Sequence, residues 1–232
     1  MIITKPRDWA RIHDNLESVG ARKVFIVGCG ECATQSETGG EPQVLAMKSR
    51  LEAAGYEVVG WTVGEIACHD NATKRELRRQ AGSADDADAF LVLACGAGTQ
   101  SVAEARPATP TFPGLESAFL GNVVRHGVFE ERCSMCGECV LDRTGGVCPV
   151  TTCPKGLLNG PCGAMWEGRC DVLGDERPCV FVRIHERLAA QGRTAPATLP
   201  PKDHGRKAKA ARLDARGGAR AKGTDSGGGG AL

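Results

Sequence analysis

Residues 24–33 read VFIVGCGECA, a short continuous apolar run that breaks into glycine and cysteine. Two more segments share that grammar. Residues 56–63 read YEVVGWTV and lead into GEIACHD; residues 90–93 read FLVL and lead into ACGAG. Runs that are continuously apolar rather than alternating suit strands buried on both faces, as in a parallel sheet. The intervening segments have helical patterns. In PQVLAMKSRLEAAG, the apolar residues Val44, Leu45, Met47 and Leu51 lie largely on one face, and Gly55 is placed to end the helix. In NATKRELRRQAG, Asn71 is placed to cap a mostly polar helix. A further helix over Asp8–Val19 precedes the first strand. Residues 1–110 therefore read as a small α/β domain, a Rossmann-like parallel sheet.

A parallel sheet places the C-terminal ends of its strands along one edge. Cys29 and Cys32 follow the first run, Cys68 the second and Cys95 the third, so their thiols are expected to converge. Four convergent thiolates suit an iron–sulfur cluster or an all-cysteine zinc site. Gly28, Gly30, Gly96 and Gly98 are read as leaving room for such a group and turning backbone N–H toward it. Two other readings of this stretch stay open. Gly28-Cys29-Gly30-Glu31-Cys32-Ala33 fits the dinucleotide pattern G-x-G-x-x-A, although TQSETGGEP separates it from the next helix. A Cys29/Cys32 thiol–disulfide pair would leave Cys68 and Cys95 idle. His69 reads as solvent-facing.

The chain has 232 residues, of which 12 are cysteine, and its 41% hydrophobic content excludes a wholly disordered chain. The 29 Lys+Arg against 28 Asp+Glu make nucleic-acid binding by the whole chain unexpected. That balance has two parts. Residues 193–232 carry nine Lys/Arg and three Asp, 9 − 3 = +6, which leaves 20 − 25 = −5 for the remainder. The opening residues lack an apolar leader core, and no apolar run approaches the ~20 residues of a membrane helix. A cytoplasmic protein without a membrane segment is expected. In a reducing compartment clustered cysteines point to metal or redox chemistry rather than to disulfides.

From Thr111 the pattern changes. Residues 111–132 read as a connector with a helix over Leu115–His126. Then Cys133-x2-Cys136-x2-Cys139 appears, followed by Cys148-Pro149, Cys153-Pro154, Cys162, Cys170 and Cys179. A CxxCxxC triple wraps three corners of a cubane, and a Cys-Pro pair closes a cluster in bacterial ferredoxins. Eight cysteines would hold two 4Fe–4S clusters. The run departs from the ferredoxin spacing between Cys139 and Cys148, so the pairing stays open, and zinc at one or both sites is the alternative. The segment has little periodicity, and bound metal is expected to supply much of its folding energy. A helix over PCVFVRIHERLAAQG closes residues 111–192, and residues 193–232 are read as a disordered basic tail.

The stretch from Gly127 to Leu188, with its blocks CSMCGECVLDRTGGVCPVTTCPKGLLNGPCG and RIHERL, resembles the methylenetetrahydrofolate reductase C-terminal domain family. CGECAT, the Gly39-Gly40 pair and LACGAG extend the likeness loosely toward the N-terminus, over residues 5–190. Ala164-Met165 departs from it, because a second glycine after Pro-Cys-Gly is more typical. The resemblance implies the small iron–sulfur accessory subunit of the reductase. It implies a flavin-containing TIM-barrel partner, a cytoplasmic electron donor, two 4Fe–4S clusters within 133–179 and a third in the N-terminal domain. All twelve cysteines fall on motif positions, and no catalytic residue is assigned. The chain is too short to add a barrel of ~250 residues to what is already assigned. A zinc-stapled adaptor that binds the catalytic subunit without moving electrons is the competing expectation.

Overall fold

The computed structural model describes residues 1–203. They form two compact units, Met1–Cys133 and a second that begins at Ser134. In chain order the first unit contains β1 (Ile2–Pro6), α1 (Trp9–Ser18), β2 (Lys23–Cys29), α2 (Cys32–Gln35), α3 (Glu41–Ala53), β3 (Glu57–Gly64) and α4 (Asp70–Arg79). It continues with α5 (Ala81–Asp85), β4 (Ala89–Leu93), α6 (Gly96–Ala105), β5 (Thr111–Pro113), β6 (Leu115–Arg125) and β7 (Val128–Cys133).

The three apolar runs form the parallel sheet that their continuity predicts. Its order is β3-β2-β4-β5, with β2 and β4 central and almost wholly buried. Phe25 and Phe90 meet across these strands with ring centroids 5.6 Å apart. Ile12 and Leu16 of α1, Val44 and Leu51 of α3, Leu77 of α4 and Val102 of α6 complete this core. The Asp8 carboxylate accepts the Ala10 N–H at 2.9 Å and starts α1. Gly55 follows the end of α3 at φ +89. The start of α4 differs from the expectation. His69, not Asn71, is the cap, with Nδ1 accepting the Ala72 N–H at 3.4 Å. The helix begins earlier, which places the Asp70 carboxylate in its first turn, where the helix dipole favours an anion.

The expected helix over Leu115–His126 is a strand. β6 pairs antiparallel with β1 on one side and β7 on the other. A two-residue reversal at His126-Gly127, with Gly127 at φ +70, joins β6 to β7. Gly121 sits at a register shift of the β6–β7 pair, where a Cβ would lie 2.2 Å from the Glu130 carbonyl oxygen. β1 and the short β5 were absent from the sequence reading. Because β5, β6 and β7 belong to the first unit, that unit runs to Cys133 rather than ending at 110.

The second unit contains α7 (Pro149–Thr152), β8 (Arg169–Cys170), β9 (Gly174–Pro178) and α8 (Val180–Ala190), with β8 and β9 antiparallel. Its core is small: Val147, Cys179, Val180, Phe181, Ile184 and Leu188, with Cys153, Leu157, Met165, Val182 and Ala195 packed against it. Residues 193–203 depart from the disordered tail that composition suggested. Leu199 is 6% exposed, and the Asn159 side chain accepts the Leu199 N–H at 2.6 Å and donates to its carbonyl at 2.9 Å. The rest of the expected tail, 204–232, lies outside the described residues.

The chain's one tyrosine reports on the packing of the first unit. The Tyr56 hydroxyl donates to Glu17 Oε1 at 2.9 Å and lies 2.8 Å from His13 Nδ1. Burial, then the bond to the Glu17 carboxylate, push its pKa from 10.0 to about 12. The unfolded phenol ionises first as pH rises, so this contribution to stability is complete below pH 10 and is lost as pH rises toward 12. Tyrosinate absorbance should appear about two units higher in the native protein than in urea, and Tyr56→Phe should remove that part of the alkaline loss of stability.

Candidate metal centre

The candidate centre in the first unit is built by the strand register. β2 ends at Cys29, which lies opposite Gly64 at the end of β3, while Gly28 lies opposite Leu93 at the end of β4. Cys32 opens α2, Cys68 lies in the loop between β3 and α4, and Cys95 caps α6. Cys29 is buried, Cys32 and Cys95 are half-buried, and Cys68 is exposed.

The Cys68 thiol lies within electrostatic range of the other three. The Cys68 thiol is pushed above its ordinary range, first by the protein behind it, then by repulsion from Cys95 and Cys29 and more weakly from Cys32. All three partners act on one group, although they come from three strand ends. Among the described residues, no group of three or more Cys, His, Asp or Glu side chains has the geometry of a formed metal site. The chemistry of the donor set nevertheless fits a four-thiolate ligand group. Several thiolates side by side are costly without a counter-charge, and a bound metal supplies one. The N-termini of α4 and α6, beside Cys68 and Cys95, favour the same anionic state.

Small residues make the convergence possible, though not in the way the sequence suggested. At Gly28 a Cβ would lie 2.6 Å from the Gly39 carbonyl oxygen, and at Gly30 it would lie 3.1 Å from that of Glu65. The chain itself fills this space. The Gly30 N–H is taken by the Gly64 carbonyl at 2.7 Å and the Gly96 N–H by Ser117 Oγ at 2.9 Å. Gly96 alone of these keeps open space around its Cα, with Ser117 Oγ the nearest atom at 3.8 Å from an added Cβ.

Two other close approaches position the cysteines. Gly39 slips between strand ends: its carbonyl accepts the Cys29 N–H at 3.0 Å, and a Cβ on it would lie 2.0 Å from the Leu93 carbonyl oxygen. Thr34 Oγ1 donates to the Cys29 carbonyl at 2.7 Å, so both backbone groups of Cys29 are held. Gly98 brings α6 onto the Cys68 loop, where its missing Cβ would meet Ala94 Cβ at 2.9 Å and Ala67 Cβ at 3.0 Å. Ser101 Oγ donates to Asp70 Oδ1 at 2.6 Å and ties α6 to the start of α4. The sequence reading passed over Thr34, Asp70 and Ser101. The Gly39-Gly40 pair carried a signal only through the family resemblance.

The remaining eight cysteines lie in or beside the second unit, and all are thiols rather than disulfides. Cys133 closes β7 as the last residue of the first unit. In the second unit Cys148 and Cys153 flank α7, and Cys179 caps α8 with its N–H donating to the Gly168 carbonyl at 2.8 Å. Cys179 is part of the small core, and Cys153 packs against it. Cys170 ends β8. Cys139 is exposed.

Two thiols of this unit stand beside ammonium groups. Lys155 Nζ donates to Cys162 Sγ at 3.6 Å and to Asp171 Oδ2 at 2.7 Å, which holds the Asp171 carboxyl below its usual range. Lys202 Nζ donates to Cys136 Sγ at 3.2 Å and also to the Glu138 carbonyl. Burial pushes the Cys136 thiol up, but the Lys202 ammonium, the Glu138 residue and Ser134 together hold it below its ordinary value.

Residues 112–204 match the family model for the methylene-tetrahydrofolate reductase C terminal. That span is less than half of the chain, and it contains all eight cysteines from Cys133 to Cys179. No curated protein matches the chain. Among solved structures, an arylmalonate decarboxylase variant in a sulfate-associated form is similar at 15% identity and a TM-score of 0.33, over 45% of this chain and 46% of that one. A second arylmalonate decarboxylase structure gives 16% and 0.32, over 44% and 46%. A LacI-family transcriptional regulator from an Arthrobacter species, in complex with lactose, gives 16% and 0.31, over 41% and 34%. The similar region spans under half of each of those chains. Among the described residues no helix is long and apolar enough to cross a membrane.

Two predictions concern the frame that holds the second set of thiols. At Gly160 a Cβ would lie 2.4 Å from the Phe181 ring. Gly160→Ala should cost about 1–3 kcal/mol through overpacking, read as faster amide exchange across Val180–Ala190. A chain ending at Asp203 should keep the stability of the second unit. A chain ending at Thr194 should lose about 1.5–3 kcal/mol with the burial of Leu199, seen as a lower thermal midpoint and faster proteolysis.

Proposed function

We propose that this chain is the iron–sulfur accessory subunit of a methylenetetrahydrofolate reductase complex. What supports the reading is the placement of Cys29, Cys32, Cys68 and Cys95 at or just after the C-terminal ends of neighbouring parallel strands, outside the family-matched segment, in a chain whose matched segment brings eight more motif cysteines. Cys29, Cys32, Cys68 and Cys95 would hold one 4Fe–4S cluster. Cys133, Cys136, Cys139, Cys148, Cys153, Cys162, Cys170 and Cys179 would hold two more. Such a cluster supplies a one-electron carrier whose potential follows the charge and hydrogen bonds around its sulfurs.

The residues of this chain supply position and environment. Gly39 and Thr34 fix the backbone of Cys29, and Gly98 with the Asp70–Ser101 bond holds Cys68 beside Cys95. In the second unit Cys153 and Cys179 are tied into the apolar core, so ligand and fold depend on each other there. The reduction of folate itself belongs to the proposed partner, a flavin-containing TIM-barrel subunit. This chain would carry electrons to it singly from a cytoplasmic donor.

Anaerobic purification with iron, sulfide and zinc analysis, followed by EPR of the reduced protein, tests the proposal. About twelve iron and twelve sulfide per chain, with a reducible EPR signal, is expected from three 4Fe–4S clusters. Stoichiometric zinc without iron, in a colourless protein that still binds the reductase, would instead establish the structural adaptor. Cys136→Ala should lower both metal content and thermal stability, because metal binding and folding of this segment are coupled.

A further inference from the structure

We propose that the groove at the bulged β1–β6 pair binds the oxyanion head of a small molecule, a carboxylate or a phosphate, through Lys5, Arg11 and the Ser117 hydroxyl. The groove lies wholly within the first unit. It needs no metal, and its chemistry is separate from that of the thiols.

The strand ladder builds the groove. Ile3 pairs with Phe119 and Thr4 with Ser117, so Ala118 is an extra residue on β6. Such a bulge bends its strand and re-aims the side chains beside it. Glu116, Ser117 and Ala118 therefore all line the groove, although successive residues of a regular strand point to opposite faces. Lys5 lies opposite Glu116 in the ladder, which puts both on one face. Asp8 and Arg11, at the start of α1, supply the remaining charges. The volume is about 580 Å³, within the range of roughly 300–1,000 Å³ of small-molecule pockets.

The contacts already made leave the cationic donors free. Glu116 Oε1 lies 2.9 Å from Arg7 Nε and 3.3 Å from Arg11 Nη1. The Arg7 contact is an ion pair whose N–H is not aligned for a hydrogen bond. The carboxylate is thus turned to the arginines, and the Lys5 ammonium across the ladder has no partner among the described residues. Arg11 spends one N–H on Glu116 and keeps the rest of its guanidinium. The Asp8 carboxylate is engaged in capping α1 through the Ala10 N–H. Ser117 Oγ accepts the Gly96 N–H at 2.9 Å, so its own hydrogen remains to donate. Lys5, Arg7 and Arg11 stand against Asp8 and Glu116, a balance of 3 − 2 = +1. A guanidinium, an ammonium and a hydroxyl in one groove form charge-assisted hydrogen bonds to a carboxylate or phosphate.

The test titrates the full, 15N-labelled chain with inorganic phosphate and, separately, with succinate, at an ionic strength fixed by sodium chloride, and follows the amide signals by NMR. At least one of the two anions should give saturable shifts at Lys5, Ser117 and Ala118. Saturation by phosphate alone supports a phosphate head, and saturation by succinate alone supports a carboxylate head. Lys5→Gln and Arg11→Gln should each weaken the affinity about three- to tenfold, and Lys5→Arg should keep most of it. Both side chains are exposed, so the amide spectrum away from the groove should stay that of the wild type. Shifts that rise without saturating for both anions overturn the proposal. So does saturable binding that Lys5→Gln and Arg11→Gln leave unmoved. Metal content enters neither readout, so failure here is distinct from failure of the cluster reading.

Discussion

Parallel strands must finish at the same edge, and the candidate centre of the first unit depends on that constraint. Cys29, Cys68 and Cys95 belong to three different strand ends, and the β3-β2-β4 register brings those ends to one edge of the sheet. The apolar core behind the edge makes the arrangement firm. β2 and β4 are buried along almost their whole length, so a slip in register would move Phe25, Ile26, Phe90 and Leu91 together. The edge is then refined by two close approaches. Gly39 enters between Cys29 and Leu93, and Gly98 brings α6 against Ala67. A methyl group at either glycine would separate the chain segments that carry the cysteines.

The second unit works under the opposite condition. Its apolar core comprises six buried residues, one of which is Cys179. Candidate ligand positions and core positions therefore overlap here, as they do in the first unit, where Cys29 is part of the core. The first unit has a buried sheet to define it, while the second has only a small apolar core. Gly160 against Phe181 and Asn159 against Leu199 are the places where this small core is closed by the chain alone.

The sequence made legible whatever is local and periodic. The three parallel strands β2, β3 and β4, with α1, α3 and α8, stand where apolar runs and helical faces placed them, although β3 is a half-exposed edge strand. That Cys29, Cys68 and Cys95 lie at or after the C-terminal ends of three neighbouring strands followed from parallel topology. What it hid depends on partners remote in the chain. β6 looked helical because its apolar residues are compatible with either period, and its strand character comes from β1, whose Ile2 pairs with Leu120. β5 has only three residues and exists through its pairing with β4. The glycines at 28 and 30 were assigned to a ligand because a sequence shows a missing side chain but not what occupies the space. Leu199 and Lys202 were concealed by composition, since an anchored segment begins a stretch that is otherwise rich in Ala, Gly, Lys and Arg.

Negative charge is the shared problem of both units, and the fold meets it in two ways. Grouped thiolates repel, and the Cys68 thiol is pushed above its ordinary range first by burial and then by Cys95, Cys29 and Cys32. In the first unit the compensating groups are backbone dipoles: α4 and α6 each begin beside a cysteine, and a dipole fixed by the sheet costs no further ordering. The second unit has no comparable pair of long helices pointing at its thiols among the described residues. There the compensation comes from side chains, Lys155 at Cys162 and Lys202 at Cys136. A long lysine side chain must be ordered to act, at an entropic cost. Lys155 is ordered by its ion pair with Asp171, and Lys202 by the proline-stiffened segment behind it. A unit with little regular structure thus obtains through two tethered ammonium groups what the α/β unit obtains from its topology.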